Sequence, residues 1–204
     1  MSSVGSSSRD TSGAAYTQRL ERLSQASWKR WLGAQAPYRW HLRRLGLGFT
    51  LDVGCGIGRN LLHLDRCGVG VDANPHSVEI ARGRGCSAFT SEEFASVPEA
   101  VRGGFDGLLF SHVLEHMTLD EAVRLVGTYL PYLRAGGRIV IITPQEAGFR
   151  SDPSHVEFMD HIALRSIQDA HGLTPIEAYS FPFPRFAGRF FRHNEFVIAG
   201  LKRT

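Results

Sequence analysis

LDVGCGIGRN, residues 51–60, decides the fold. An apolar run of strand character ends in Gly54, Gly56 and Gly58, and a helical pattern starts at Arg59. Such a turn must be tight and must let a ligand approach the backbone with no Cβ in the way, which is what glycine permits. The helix that follows offers free N–H groups in its first turn. The spacing is GxGxG, not the GxGxxG of dinucleotide-binding turns. Asp72 closes the next apolar run, GVGVD (68–72), where a carboxylate can accept both hydroxyls of a ribose. Its other use would be to cap the helix that opens at Pro75.

Outward from this turn, short apolar runs alternate with helical segments. Strands are predicted at 49–53, 68–72, 87–90, 105–110, 138–143, near 174–180 and near 194–200. Helices are predicted at 59–66, from Pro75 to Gly83 or Gly85, from Leu119 to Arg134 before the Gly136–Gly137 pair, and at 161–171. A loop spans 144–160. The alternation implies an α/β fold: a parallel sheet with helices on both faces, its last two strands joined as an antiparallel hairpin. Residues 1–13, MSSVGSSSRDTSG, hold almost nothing that could be buried and are expected to be a disordered leader. Residues 14–46 are expected to form N-terminal helices, one over 14–32 and one restarting at Pro37; they either pack on the body or serve as a lid. The main domain is expected to cover 47–204.

Composition sets outer limits. The 204 residues are 43% hydrophobic, enough for a core, and no apolar run reaches the roughly 20 residues of a membrane span. A net charge of +3 does not demand a nucleic-acid partner. Cys55, Cys67 and Cys86 have no CxxC spacing, so neither a disulfide framework nor a zinc ribbon is expected. With no apolar leader at the start of the sequence, the expected location is cytoplasmic. Only Lys29 and Lys202 are lysines, which removes lysine chemistry from the body of the chain. The same scarcity, with the glycine spacing, argues against a nicotinamide-dependent reductase carrying a Tyr-x-x-x-Lys pair.

LDVGCGIGRN followed by GVDANP resembles the cofactor site of class I S-adenosylmethionine-dependent methyltransferases. The resemblance covers most of residues 45–200. It implies a Rossmann-like, seven-stranded sheet in the order 3-2-1-4-5-7-6 with strand 7 antiparallel, and S-adenosyl-L-methionine as cofactor. It implies that Asp52 and the glycine loop hold the methionine end, that Asp72 holds the ribose, and that Ser91 or Glu92 meets the adenine. The implied cofactor set is Asp52, Gly54, Gly56, Gly58, Asp72, Ala73, Ser91, Glu92 and Ser111.

A second motif, SHVLEHM (111–117), follows the fourth strand, whose C-terminal end faces the active crevice in an open α/β sheet. Spacings of three and four put His112, Glu115 and His116 on one helical face, a set able to ligate a metal or merely to pack. The loop after the fifth strand, SDPSHVEFMDH (151–161), adds Asp152, His155, Glu157, Asp160 and His161 at the same crevice. Together the two segments resemble the metal site of small-RNA 3′-terminal 2′-O-methyltransferases, an ExxEH run with a later histidine. Glu115, His116 and His155 match that pattern; His112 stands where the family has a glutamate. The resemblance implies a divalent metal, magnesium or manganese, on His112, Glu115, His116 and His155. His112, His116 and His155 are the candidate catalytic residues, since a histidine free of the metal could take the acceptor's proton.

FPFPRFAGRFFRHNEF (181–196) interleaves phenylalanines with arginines. It either packs on the sheet or across a homodimer interface, or walls a substrate site. In overall form the chain resembles small bacterial saccharide O-methyltransferases. The expected function is metal-assisted O-methylation of a sugar or oligosaccharide hydroxyl. The alternatives are an RNA 2′-O-methyltransferase, a metal-independent small-molecule methyltransferase, and a non-catalytic S-adenosylmethionine-binding partner. No membrane partner is expected, and nucleic acid ranks below a small acceptor.

Overall fold

The computed structural model describes residues 36–203. The leader over 1–13 and the helix over 14–32 lie outside the described residues. Seven strands form one sheet in the order β3-β2-β1-β4-β5-β7-β6. They are β1 Thr50–Val53, β2 Gly68–Asp72, β3 Ser87–Thr90, β4 Phe105–Ser111, β5 Leu133–Pro144, β6 Thr174–Phe181 and β7 Glu195–Leu201. β7 runs antiparallel between β5 and β6, with Ile141 opposite Ile198 and Tyr179 opposite Val197. The other neighbours pair in parallel. The predicted Rossmann-like architecture is therefore the observed one.

The helices are α1 Ala36–Arg44, α2 Arg59–His63, α3 Pro75–Gly83, α4 Ser91–Phe94, α5 Leu119–Tyr129, α6 Glu146–Arg150 and α7 His161–Ala170. Central strands are buried on both faces, and alternate residues serve opposite cores. Ile139 and Ile141 of β5, with Phe196 and Ile198 of β7, pack under α5 and α7. Val140 and Ile142, with Val197 and Ala199, pack under Leu42 and Leu45 at the α1 end. Cys55, Leu61, Val78 and Ala81 join α2 and α3 on that second side.

Two boundaries differ from the sequence expectation. α5 stops at Tyr129, not Arg134, because Pro131 follows and cannot donate a helical N–H; β5 accordingly begins at Leu133. α2 stops at His63, and Asp65 and Arg66 turn the chain out at φ 56° and 61°. The expected loop 144–160 also contains the short helix α6. Among the described residues no helix is long and apolar enough to cross a membrane.

The sheet order reverses direction between β1 and β4. The C-terminal ends of β1, β2 and β4 therefore open a crevice at the switch point, where open α/β sheets take their ligands.

Candidate active site

The crevice encloses about 240 Å³. Gly54, Gly56, Asp72, Ala73, Asn74 and Ser91 form one part of its wall, and His112, Val113, His116, Met117 and Tyr129 another. The glycines differ in what they permit. A Cβ on Gly54 (φ 74°) would overlap the Val113 side chain, whereas a Cβ on Gly56 (φ 51°) would meet nothing within 4 Å. Gly54 is required for packing, and Gly56 leaves open the space that a ligand would use.

Asp72 ties this turn to β2. Its Oδ2 accepts the Gly56 N–H at 2.8 Å and its Oδ1 accepts the Asn74 N–H at 2.8 Å. Each oxygen keeps a second lone pair toward the cavity. Burial raises the Asp72 pKa, and these two N–H groups oppose the rise. α3 is capped by Asn74, whose side chain accepts from His76 and Ser77, so capping falls to Asn74 and not to Asp72. Asp52 is fully buried under the turn; Asn60 donates to its Oδ1 at 3.3 Å, and Oδ2 has no partner. Burial pushes its pKa up to about 7, with Asp72 adding to the rise.

Gly54, Gly56, Asp72, Ala73 and Ser91 thus line the cavity. The other implied cofactor residues do not. Asp52 lies beneath the wall, and Gly58 packs toward Ala81 and Cys86. Glu92 is exposed beyond Ser91. Ser111 is buried, with its Oγ 3.0 Å from the Tyr38 hydroxyl of α1. An open site lined by a glycine turn and a carboxylate, with the unpartnered Oδ2 of a buried acid beneath it, fits a nucleoside carrying a cationic methionine tail.

The second cluster is built by two tethers. After β4 the chain makes a short 3-10 turn over Leu114–His116. Its Glu115 carbonyl accepts the Val156 N–H at 2.8 Å, and Glu157 Oε2 accepts the Leu119 N–H at 2.7 Å. The loop after β5 is thereby pulled onto the turn. Glu115, His116 and His155 each present a ligand atom, all within 4.8 Å of one another. Glu115 is fully buried, and its Oε2 has no partner. His155 donates Nδ1–H to the Phe149 carbonyl at 2.8 Å, and His116 Nδ1 lies 3.3 Å from the Ser154 carbonyl. This arrangement assigns the protons to Nδ1 and leaves both Nε2 atoms as acceptors, the orientation that metal-bound histidines take. Burial lowers the His116 pKa, and neighbouring Glu115 partly opposes that. Two imidazoles and a buried carboxylate with one oxygen unpartnered fit a divalent transition metal better than magnesium.

His112 does not join this set. Its φ is 58°, and both ring nitrogens are taken: Nδ1 by Glu115 Oε1 at 3.2 Å, Nε2 by Glu195 Oε1 at 2.7 Å. Burial alone would lower its pKa, but Glu195 and Glu115 together raise it to about 10. The ring is an imidazolium with no lone pair for a metal or a proton, which corrects the sequence expectation for both roles. Nor do the other acids and bases of the loop arrive. Asp160 caps α7, Glu157 holds Leu119, Asp152 accepts from Ser154, and His161 faces the Tyr179 carbonyl. The residue that the sequence did not expose is Glu195. A glutamate opening an otherwise apolar strand was the available signal, but nothing local shows that it reaches β4.

Residues 50–137 match the family model described as "Methyltransferase domain". No curated protein matches the sequence. Among solved structures, an S-adenosylmethionine-dependent methyltransferase from Archaeoglobus fulgidus is similar with a TM-score of 0.63 at 20% identity, over 81% of this chain and 93% of that one. Magnesium protoporphyrin IX methyltransferase from Synechocystis PCC 6803, solved with bound S-adenosylmethionine, has a TM-score of 0.69 at 13% identity, over 99% and 100%. The N-methyltransferase NodS from Bradyrhizobium japonicum WM9, in complex with S-adenosyl-l-homocysteine, has a TM-score of 0.62 at 16% identity, over 82% and 86%. At these identities the structures speak for the shared fold, and the family match speaks for residues 50–137. Residues 50–137 therefore carry the match to a methyltransferase domain, and the seven-stranded sheet around them is the fold of these structures.

Proposed function

We propose that this chain transfers the methyl group of S-adenosylmethionine to a hydroxyl of a sugar or similar polyol, with a divalent metal held by Glu115, His116 and His155. The observation that carries this reading is the tautomer arrangement at the cluster: both histidines spend Nδ1–H on backbone carbonyls, beside a buried glutamate oxygen with no partner. A metal bound there would supply the Lewis acidity that lowers the pKa of a coordinated hydroxyl.

The chain's own groups do the rest. Gly56 leaves room for the cofactor and Asp72 faces its ribose, so the cavity fixes the direction of the methyl group. Glu115 is held in place by the His112 imidazolium, which Glu195 in turn anchors. With donor and acceptor both fixed, alignment supplies much of the rate. A vicinal diol suits such a cluster because two adjacent oxygens can chelate one metal. An RNA 3′ terminus offers the same diol; a steep fall of binding with salt would single it out.

The test is methyl transfer from methyl-labelled S-adenosylmethionine to a panel of saccharides, before and after chelation. The expected result is labelled ether product from vicinal diols, lost on chelation and restored by manganese. Full transfer after exhaustive chelation would overturn the metal reading, and product on amines alone would overturn the hydroxyl acceptor.

A further inference from the structure

Four phenylalanines stand in water on the loop between β6 and β7. Phe183, Phe186, Phe190 and Phe191 are all exposed, Phe186 by 69% and Phe190 by 86%. Phe183 and Phe191 pack edge to face with centroids 5.3 Å apart, and Phe186 and Phe190 lie between them in sequence; several large exposed apolar side chains on one short loop mark an interaction surface. The loop beneath them is firmly held. Asn194, fully buried, accepts the Phe183 N–H at 2.9 Å and donates to the Phe183 carbonyl at 3.1 Å and to Gln145 Oε1 at 2.9 Å. Gly188 lies so close to Gln145 that a Cβ there would overlap it. Arg150 of α6 donates to the Arg189 carbonyl at 3.2 Å. The backbone is anchored, and the rings on it are exposed.

The charge of the face is one-sided. Residues 181–193 contain Arg185, Arg189, Arg192 and His193 and no carboxylate. Glu146 pairs with Arg185; among the described residues Arg189 and Arg192 form no ion pair. A second copy placed here by a two-fold axis would set arginines against arginines. An anionic surface with an apolar layer beneath it complements both features.

We propose that this face docks on an anionic lipid surface, the phenylalanines entering the boundary between headgroups and acyl chains and the arginines meeting lipid phosphates. The mode is peripheral. The face is also next to the chemistry: α6 carries Phe149, whose ring stacks on His155 at 5.2 Å between centroids. Docking would therefore bring the crevice to acceptors carried at that surface.

Flotation of the full chain with vesicles tests this without reference to metal or methyl acceptor. The protein should float with equimolar phosphatidylcholine and phosphatidylglycerol and not with phosphatidylcholine alone, and added salt should weaken the association. The double variant Phe186→Ser/Phe190→Ser should lose at least roughly tenfold in partitioning, and Arg192→Gln about fivefold. Unchanged circular dichroism and cofactor binding would certify that both variants are folded. Wild-type protein that stays unbound at low salt, or a double variant that floats like wild type, overturns the proposal. So does a dimer in sedimentation that the double variant dissolves, or single-stranded oligonucleotide binding lost in the variants while vesicles are ignored.

Discussion

His112 Nε2 and Glu195 Oε1 lie 2.7 Å apart, joining the end of β4 to the start of β7 across 83 residues of sequence. The ring's pKa is raised from 6.5 to about 10. A histidine raised in the fold adds stability that is complete below 6.5 and is lost as pH climbs through about 10. Glu195→Gln should flatten that decline. It should also lower stability at neutral pH by about 1–3 kcal/mol, the cost of weakening a hydrogen bond to a charged group. Denaturant midpoints measured across this pH range would check both; parallel curves for wild type and variant would show that the clasp carries no charge coupling.

The glycine turn separates packing from ligand space. Gly56→Val should fold with only a modest penalty, about 1–3 kcal/mol for a residue kept at positive φ, because its side chain meets open cavity. It should nevertheless lose S-adenosylmethionine binding at least roughly tenfold, since the Val occupies that cavity. Gly54→Val should instead damage the fold, because Val113 already fills the place of its Cβ. Calorimetric titration beside thermal melts would distinguish them, and equal effects of the two substitutions on both readouts would contradict this division.

The strands and the glycine turn were legible because they are written locally, whereas the strand order followed from the family resemblance. GVGVD, RIVIIT and LDVGCGIGRN each carry their own period and punctuation. The metal-type cluster was half legible. Helical spacing grouped His112 with Glu115 and His116, but the segment is one 3-10 turn preceded by a left-handed residue, so His112 points to Glu195 instead. That choice depends on a strand 83 positions away, which no local period encodes. The end of α5 was missed for the opposite reason: Pro131 was a local signal outweighed by the more conspicuous glycine pair.

Asp52 exchanges stability for readiness. Burial raises its pKa from 3.8 to about 7, so the folded chain holds this proton more tightly than the unfolded chain does. Ionisation therefore weakens the fold progressively above pH 3.8, and the loss is complete above about 7. Asp52→Asn should gain on the order of 1 kcal/mol at pH well above 7 and nothing near 3.8. It should also weaken S-adenosylmethionine binding, because a buried acid with one oxygen unpartnered beneath the turn favours the cofactor's cationic end. Melts at the two pH extremes with a binding titration would check this; a variant destabilised at high pH would refute the assignment.

The metal cluster makes a prediction that does not need the acceptor. Manganese titrated into the purified chain should bind at one site, followed by its paramagnetic signal. His155→Ala and Glu115→Ala should each weaken it by roughly ten- to a hundredfold or more, as loss of ligands and their supports generally does. His112→Asn should leave the ligand set itself intact and cost less than either, since it removes only the support of Glu115 and no ligand atom. Affinity should fall as pH drops below about 6.5, where free imidazole takes a proton, because ligand histidines must be neutral. The fall should begin below that value at His116, whose pKa burial lowers. Gly56→Val should leave manganese binding unchanged while removing the cofactor, so the two sites can be lost separately. If His112→Asn abolished manganese binding and His155→Ala did not, the ligand set drawn from the tautomers would be the wrong one.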